Sequence, residues 1–231
     1  SHTAPVKIYG LALEETGSTI AAYGRYTVNT TVDNFLTTKT SSLYNSANPA
    51  STTPVQETET FVYTAPSSSN TYRVLKETAK TNSNGATYTT KFKYAKEYST
   101  TGTGDDMDKA IDNFKNNNNN VLVESAQYRT DGAGEKTMGA SLNTFKAFTI
   151  GGYIPVSKYL PYESYQFINQ AGVTNFNFSD ITDCVFSKSA NYVHTPTRIE
   201  NYHVNGLPRV ITDNSRIPKT IISSDDRNLQ T

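Results

Sequence analysis

At 231 residues the chain can bury a sizeable core, and its 21 Lys+Arg balance 21 Asp+Glu to a formal net charge of zero. That balance, without any run of Lys or Arg, argues against nucleic acid as the main partner, because neutralising phosphates takes a basic excess. Disorder is disfavoured as well, since 16 Tyr and 10 Phe supply the burial that a disordered chain lacks.

Only 35% of residues are hydrophobic and 18% charged, and Thr, Ser, Asn and Tyr fill the difference. Thr and Tyr favour strands, so the composition is that of an extracellular-type β protein. The expected fold class is all-β: mostly antiparallel hairpins forming an elongated, curved or spiralling sheet, with one short packed helix near 105–115. Trp is absent, which disfavours a sugar site built on an indole platform. No stretch approaches 18 apolar residues, so no transmembrane segment is expected. The opening "SHTAPV" has neither an initiator Met nor a signal-peptide core, and with the ending "SSDDRNLQT" it reads as an excerpt of a longer chain.

Strand-like runs begin with "GRYTVNTTV" and "NFLTTKTSSLY", followed by the polar loop "NSANPASTTP". "ETETFVY" places Phe61 and Tyr63 on one face, and "TYRVLKETAKT" leads to Ser83-Asn84-Gly85. Asn84-Gly85 predicts a type I′ hairpin turn, because both residues accept positive φ. The following strand alternates Tyr88, Thr90, Phe92 and Tyr94 against Thr87, Thr89, Lys91 and Lys93. Period-two alternation predicts that the aromatic face is the buried one. The spacing is that of an antiparallel meander.

"GDDMDKAIDNFK" is the one helical candidate. Asp105 caps it, acidic residues fill its first turn, and Met107, Ile111 and Phe114 form an apolar stripe that "NNNNN" terminates. "VLVESAQYRT" and "SLNTFKAFTI" then flank the Gly-rich turn "DGAGEK" as a second hairpin. Pro155 and Pro161 break "GGYIPVSKYLPYESYQF", which predicts an edge strand or extended loop. "TRIENYHV", Asn205-Gly206, "LPRVIT", "DNSRIP" and "KTIIS" close the chain as further hairpin material.

The catalytic vocabulary is sparse. His2, His194 and His203 share no metal-ligand spacing and read as polar residues. No G-x-S-x-G elbow occurs. Glu57 and Glu59 share the Phe61 face, and among the carboxylate pairs they are the candidates for glycosidase-type chemistry, although a solvated strand end is the simpler reading. "GTGDDMD" and "DNSRIPK" offer oxygens for calcium but lack the EF-hand order, so capping and a turn explain them. Cys184, the one cysteine, reads as a buried structural thiol. Asn29 and Asn177 open glycosylation sequons. No cofactor and no metal are expected.

One resemblance is specific. "YTAPSSSNTYRVLKETAKTNSNGATYTTKFKYAKEYS" resembles the Bacteroidota-type RHS/YD-repeat family, through Asn82, Ser83, Gly85, Tyr88, Phe92, Tyr94 and Tyr98. "VLVESAQYR", "NTFKAFTIGGYIPVSKYL" and "TRIENYHVNGLPRVITDNSRIPKTIIS" follow in the family's order, so the likeness covers roughly residues 35–223. The sequence departs from the pattern at Asn214-Ser215-Arg216, where the family usually has Gly. "SSDDRN" likewise replaces the aromatic segment that commonly follows.

The resemblance implies a secreted or cell-surface polypeptide of the outer envelope, in which hairpins wind into a β-sheet shell without an active site of its own. Residues 1–34 are then leading strands, possible continuations of an upstream repeat, and 35–231 a single β-hairpin region. Its structural turns are Asn84, Gly85, Asn205 and Gly206. The implied partners are flanking segments of the same polypeptide and an enclosed or C-terminal effector. The rival reading is a glycan-binding or adhesin-type β module, for which Tyr153, Tyr159, Tyr162 and Tyr165 are the candidate contacts, with cell-surface glycan as the partner. A polysaccharide-cleaving enzyme ranks third, and the expectation is that the chain is not an enzyme.

Overall fold

The structure is a computed structural model that describes residues 15–16, 19–20, 24–30, 35–43, 55–64, 73–82, 85–150, 155–213 and 217–220. Its strands pair antiparallel, and the described residues contain one α-helix and one 3-10 turn, Ala95–Glu97. The fold is all-β with a single short helix, as the composition and patterning lead one to expect. The chain divides into two compact units. The first comprises Ser1–Lys91 with Gln127–Lys136, and the second Phe92–Ala126 with Thr137–Thr231.

In the first unit β1 (Glu15–Thr16) and β2 (Thr19–Ile20) form a minimal hairpin. β3 (Gly24–Thr30), β4 (Leu36–Leu43), β5 (Val55–Tyr63), β6 (Leu75–Thr81) and β7 (Thr87–Tyr94) then form a meander, each paired with the next. The 127–136 stretch contributes the tip of a hairpin between β8 (Leu122–Asp131) and β9 (Gly134–Ile150), where Asp131 Oδ1 accepts from the Ala133 N–H and Gly134 adopts φ +101°.

The turn after β6 differs from the two-residue expectation. Asn82 N–H donates to Ala86 O at 2.9 Å, Gly85 N–H donates to Asn82 O at 2.9 Å, and Gly85 has φ +80°. That is a three-residue loop, in which only the last position needs the left-handed region, so one Gly suffices. Asn84 lies outside the described residues. The turn at Asn205-Gly206 repeats the pattern: His203 N–H to Leu207 O and Gly206 N–H to His203 O, both 2.9 Å, with Gly206 at φ +82°. There Asn205 serves as an acceptor, its Oδ1 taking the Leu207 N–H at 3.1 Å.

β7 does not bury its aromatic face cleanly: Thr90, Phe92 and Tyr94 are half-buried, but so are Thr87, Lys91 and Lys93 on the other face. Thr89 is buried while Tyr88 is 41% exposed, and Lys93 on the Thr89 face keeps only 16% of its side chain in solvent. Burial follows the partners available to each side chain, and Lys93 has them.

In the second unit β9 pairs with β10 (Val156–Val173), which pairs with β13 (Thr197–Tyr202), then β14 (Pro208–Thr212) and β15 (Pro218–Thr220). A small hairpin joins β11 (Asp180–Thr182) to β12 (Val185–Ser187). Over 155–167, where the prolines predict an edge strand or extended loop, β10 is a long strand rather than a loop: it pairs with β9 from Val156 onward, and with β13 at Glu163 and Ser164. Pro161 is tolerated because the register with β9 shifts between Pro161 and Ser164. A bulge is where a residue without an N–H does least harm.

α1 (Asp106–Asn116) buries Met107, Ile111 and Phe114, as its periodicity predicts. Phe114 meets the Phe145 ring edge-on at 5.1 Å, and the Phe145 N–H points at Met107 Sδ, 3.3 Å away. Each such apolar side chain contributes about 1.5–3 kcal/mol on burial. The Asn tract ends the helix, with Asn118 in the left-handed region at φ +56°. Further along β9, Phe148, Ile150 and Tyr202 form a second cluster, with Leu160, Tyr162 and Ile199 packed against it.

Candidate functional site

The tyrosines proposed for ligand contact do not form one platform. Tyr153 lies outside the described residues. Tyr159 is paired with Ala147 and its neighbour Leu160 with Lys146, so Tyr159 takes the face opposite Leu160. Past the bulge, Tyr162 joins Leu160 on the Phe148 cluster. Lys146 Nζ sits 3.6 Å from the Tyr162 ring centroid, and the Arg198 guanidinium carbon 5.2 Å from it. Tyr165 packs instead near Tyr192, with Lys188 Nζ 4.9 Å from its ring. Its hydroxyl donates to Glu163 Oε2 at 2.6 Å, and Glu163 Oε1 accepts from Arg198 Nε at 2.9 Å. Burial and then this bond to Glu163 push the Tyr165 hydroxyl up. Cations already stack on Tyr162 and Tyr165, each contact worth about 0.5–2 kcal/mol.

Two hollows open beside this cluster. One, of about 390 Å³, is lined by Thr195, Pro196, Arg198, Glu200, Thr212 and Asp213. The other, of about 190 Å³, is lined by Ser164, Gln166, Ile168, His194, Thr195 and Thr197. His194 therefore borders a surface groove, whereas His203 is buried at the start of the Asn205-Gly206 turn. His2 lies outside the described residues.

Glu57 and Glu59 are tied to lysines. Glu57 is 2.8 Å from Lys80 Nζ and Glu59 is 3.8 Å from Lys39 Nζ, across β4, β5 and β6. The hydrogen bond from Lys80 to Glu57 raises the lysine's pKa.

A polar centre without any local sequence signal lies in the second unit. Glu124 is 1% exposed, and its carboxylate accepts from Ser179 N–H (2.8 Å), Ser179 Oγ (3.2 Å) and the Tyr192 hydroxyl (2.9 Å). Burial pushes its carboxyl up, and these hydrogen bonds offset that in part. The Tyr98 hydroxyl is buried nearby without a well-aligned partner, and burial followed by the Glu124 charge drives it up. Lys93 completes the group: Nζ donates to Ser179 O at 2.7 Å, stands 3.4 Å from Asp180 Oδ1, and lies 4.1 Å from the Tyr98 ring centroid. The partners of Glu124 are 55 and 68 residues away in sequence, too far for any local pattern to disclose.

The "GTGDDMD" oxygens are likewise turned inward. Asp105 caps α1 by accepting the Asp108 N–H at 2.8 Å. The Asp108 carboxylate, wholly buried, accepts the N–H groups of Thr101 (3.1 Å) and Gly104 (2.9 Å). Burial pushes the Asp108 carboxyl up, but the N–H groups of Gly104, Thr101, Gly102 and Thr103 outweigh it and hold it low.

Cys184 is half-exposed rather than buried. It forms the two-residue turn between Thr182 and Val185 with Asp183, and both sit in the left-handed region at φ +65° and +50°. Its carbonyl accepts the Asp105 N–H at 3.1 Å, its Sγ is 3.0 Å from Thr101 Oγ1, and Asp105 Oδ2 accepts the Phe186 N–H at 2.7 Å. These ties to the start of α1 fix a turn that would otherwise call for Gly.

Among the described residues no group of three His, Cys, Asp or Glu could hold a metal ion, and no helix is long and apolar enough to cross a membrane. No family model, curated protein or solved structure matches the chain.

Proposed function

We propose that the chain is a non-catalytic structural segment of a secreted or cell-surface RHS/YD-like repeat protein, contributing β-hairpins to a shell or scaffold. The observation that carries this reading is the repeated three-residue turn at 82–86 and 203–207, which serves the same x-N-G ending in two distant hairpins. Its partners would be flanking segments of the same polypeptide and an enclosed or C-terminal effector. The fate of the polar residues supports it. Glu57, Glu59, Asp108 and Glu124 are engaged in ties within the fold.

The test is the mass of the native polypeptide that carries this sequence, by immunoblot and intact mass on cell fractions. A species far above 25.4 kDa in the envelope or medium is the expected result. A free-standing protein near 25.4 kDa overturns it.

A glycan-binding module is the second reading, favoured by the hollow where Arg198, Glu200 and Asp213 meet the hydroxyls of Thr195 and Thr212. Loss of binding on a glycan panel with Arg198→Ala plus Asp213→Ala would support it. A panel with no binder would remove it.

A further inference from the structure

Lys93 keeps 16% of its side chain in solvent, where Lys39, Lys80, Lys91 and Lys219 keep 35% or more in their ion pairs. Its Nζ donates to Ser179 O at 2.7 Å and stands 3.4 Å from Asp180 Oδ1. The Tyr98 ring covers it, with the centroid 4.1 Å away. Ser179 also joins this amine to a second carboxylate, because its N–H and hydroxyl hold Glu124 while its carbonyl holds Lys93. Tyr98, Glu124, Ser179 and Tyr192 are all buried, so one side of the amine is dry. Asp180 faces the other way, with 63% of its side chain in solvent.

We propose that the Lys93 amine and the Asp180 carboxyl condense into an isopeptide bond that ties β7 to β11. Nζ attacks Asp180 Cγ, the Nζ–Cγ bond forms and one Cγ–O bond breaks. The two protons that the ammonium gives up leave on that oxygen as water. Ammonium and carboxylate become a neutral amide, with no oxidant or other co-reactant. Glu124 is placed to carry the proton between them. Burial holds its carboxyl above the ordinary value, so it keeps a proton to higher pH than a solvated carboxyl does. The Tyr98 hydroxyl feels the charge of both Glu124 and Asp180, which sets the two carboxylates around one ring. The open side at Asp180 gives the departing water its exit.

In water an amine and a carboxylate do not condense, because both are well-solvated charges. Here burial penalises the Lys93 ammonium, and the amide removes that charge. Held in place, the amine also acts at an effective concentration of about 10⁵–10⁸ M. An ion pair alone gives a weaker account of the arrangement. A pair with one exposed partner contributes little, and it has no use for a lysine drawn under Tyr98 beside a buried acid. The bond would do what the single cysteine cannot do within the chain. It closes a loop between residues 87 apart and so restricts the unfolded chain, as a disulfide does.

The test is the intact mass of the purified, denatured chain, followed by mass mapping of its proteolytic peptides. The expected result is a mass below that of the sequence by one water, with a branched peptide joining Lys93 to Asp180. Lys93→Arg and Asp180→Ala, each checked by circular dichroism for strand content, should show their full sequence mass. Glu124→Gln, with strand content kept, should slow the loss of water by about 100-fold or more. Linkage at the unaltered rate in that variant overturns the part given to Glu124. An unaltered chain at full sequence mass overturns the inference, whatever the variants do. A water loss that persists in Lys93→Arg overturns it too, as a succinimide at Asp131-Gly132 would produce. So does a branched peptide that joins Lys93 to Glu124.

Discussion

A Cβ placed on Gly104 would stand 1.9 Å from the carbonyl oxygen of Cys184, so the start of α1 and the β11–β12 turn touch through a hydrogen where any other residue would collide. Gly104→Ala should therefore destabilise by about 1–3 kcal/mol, the usual cost of overpacking. The check is the urea midpoint by circular dichroism. Cys184→Gly acts the other way. It removes a left-handed penalty of about 1–2 kcal/mol that a residue with a Cβ carries, less Gly's own chain-entropy cost of up to about 1 kcal/mol. A small rise in midpoint is expected, and a fall would show that the Thr101 contact with Sγ outweighs the strain.

Glu124 should leave its mark on the pH profile. Its folded carboxyl lies above the ordinary 4.5, so the folded state keeps the proton longer than the unfolded chain. Stability then falls as pH rises from near 4.5 through the raised value. Glu124→Gln should flatten that fall when urea midpoints are compared across pH. Glu124→Ala should cost about 1–3 kcal/mol at the acid end of that range, because Ser179 and Tyr192 lose their acceptor, and less as pH rises through it.

Asp108 carries the opposite sign. Its folded carboxyl is held below the ordinary 3.8, so its contribution is present above that value and is lost as pH falls through the lowered one. Asp108→Ala, which leaves the Thr101 and Gly104 N–H groups without an acceptor, should cost about 1–3 kcal/mol near neutrality and proportionately less in acid. Acid titrations of the two proteins would converge if this is right.

Glu57→Gln and Glu59→Gln should change stability by no more than about 0.5 kcal/mol, since exposed ion pairs contribute little. The same pair of variants tests the enzyme reading. A polysaccharide-cleaving activity that disappears with either one would overturn the structural assignment of these carboxylates.

What could be read from the sequence was what neighbours decide. The α1 cap at Asp105 and the stripe of Met107, Ile111 and Phe114 are spaced within a few residues, and local spacing is what period arguments use. The Asn-Gly turns were visible, but not their length, because a loop of two residues and one of three both end in Gly. The Asp183-Cys184 turn has no signal at all. Its left-handed pair is imposed by contact with Gly104 and Asp105, nearly eighty residues back. Pro161 told part of the story: it pairs with β9 alone, as a proline allows, but the register shift between Pro161 and Ser164 carries the strand on to meet β13 at Glu163 and Ser164.

The division of the β8–β9 hairpin between the two units bears on how the chain emerges from the ribosome. The first unit takes Gln127–Lys136 as well as Ser1–Lys91, so its last piece is translated only after Phe92–Ala126 has been made. Domains usually fold in the order they are synthesised. Here the meander β3–β7 can pair as it is made, each strand with the next, while the first unit gains its last piece only once residue 136 has cleared the exit tunnel.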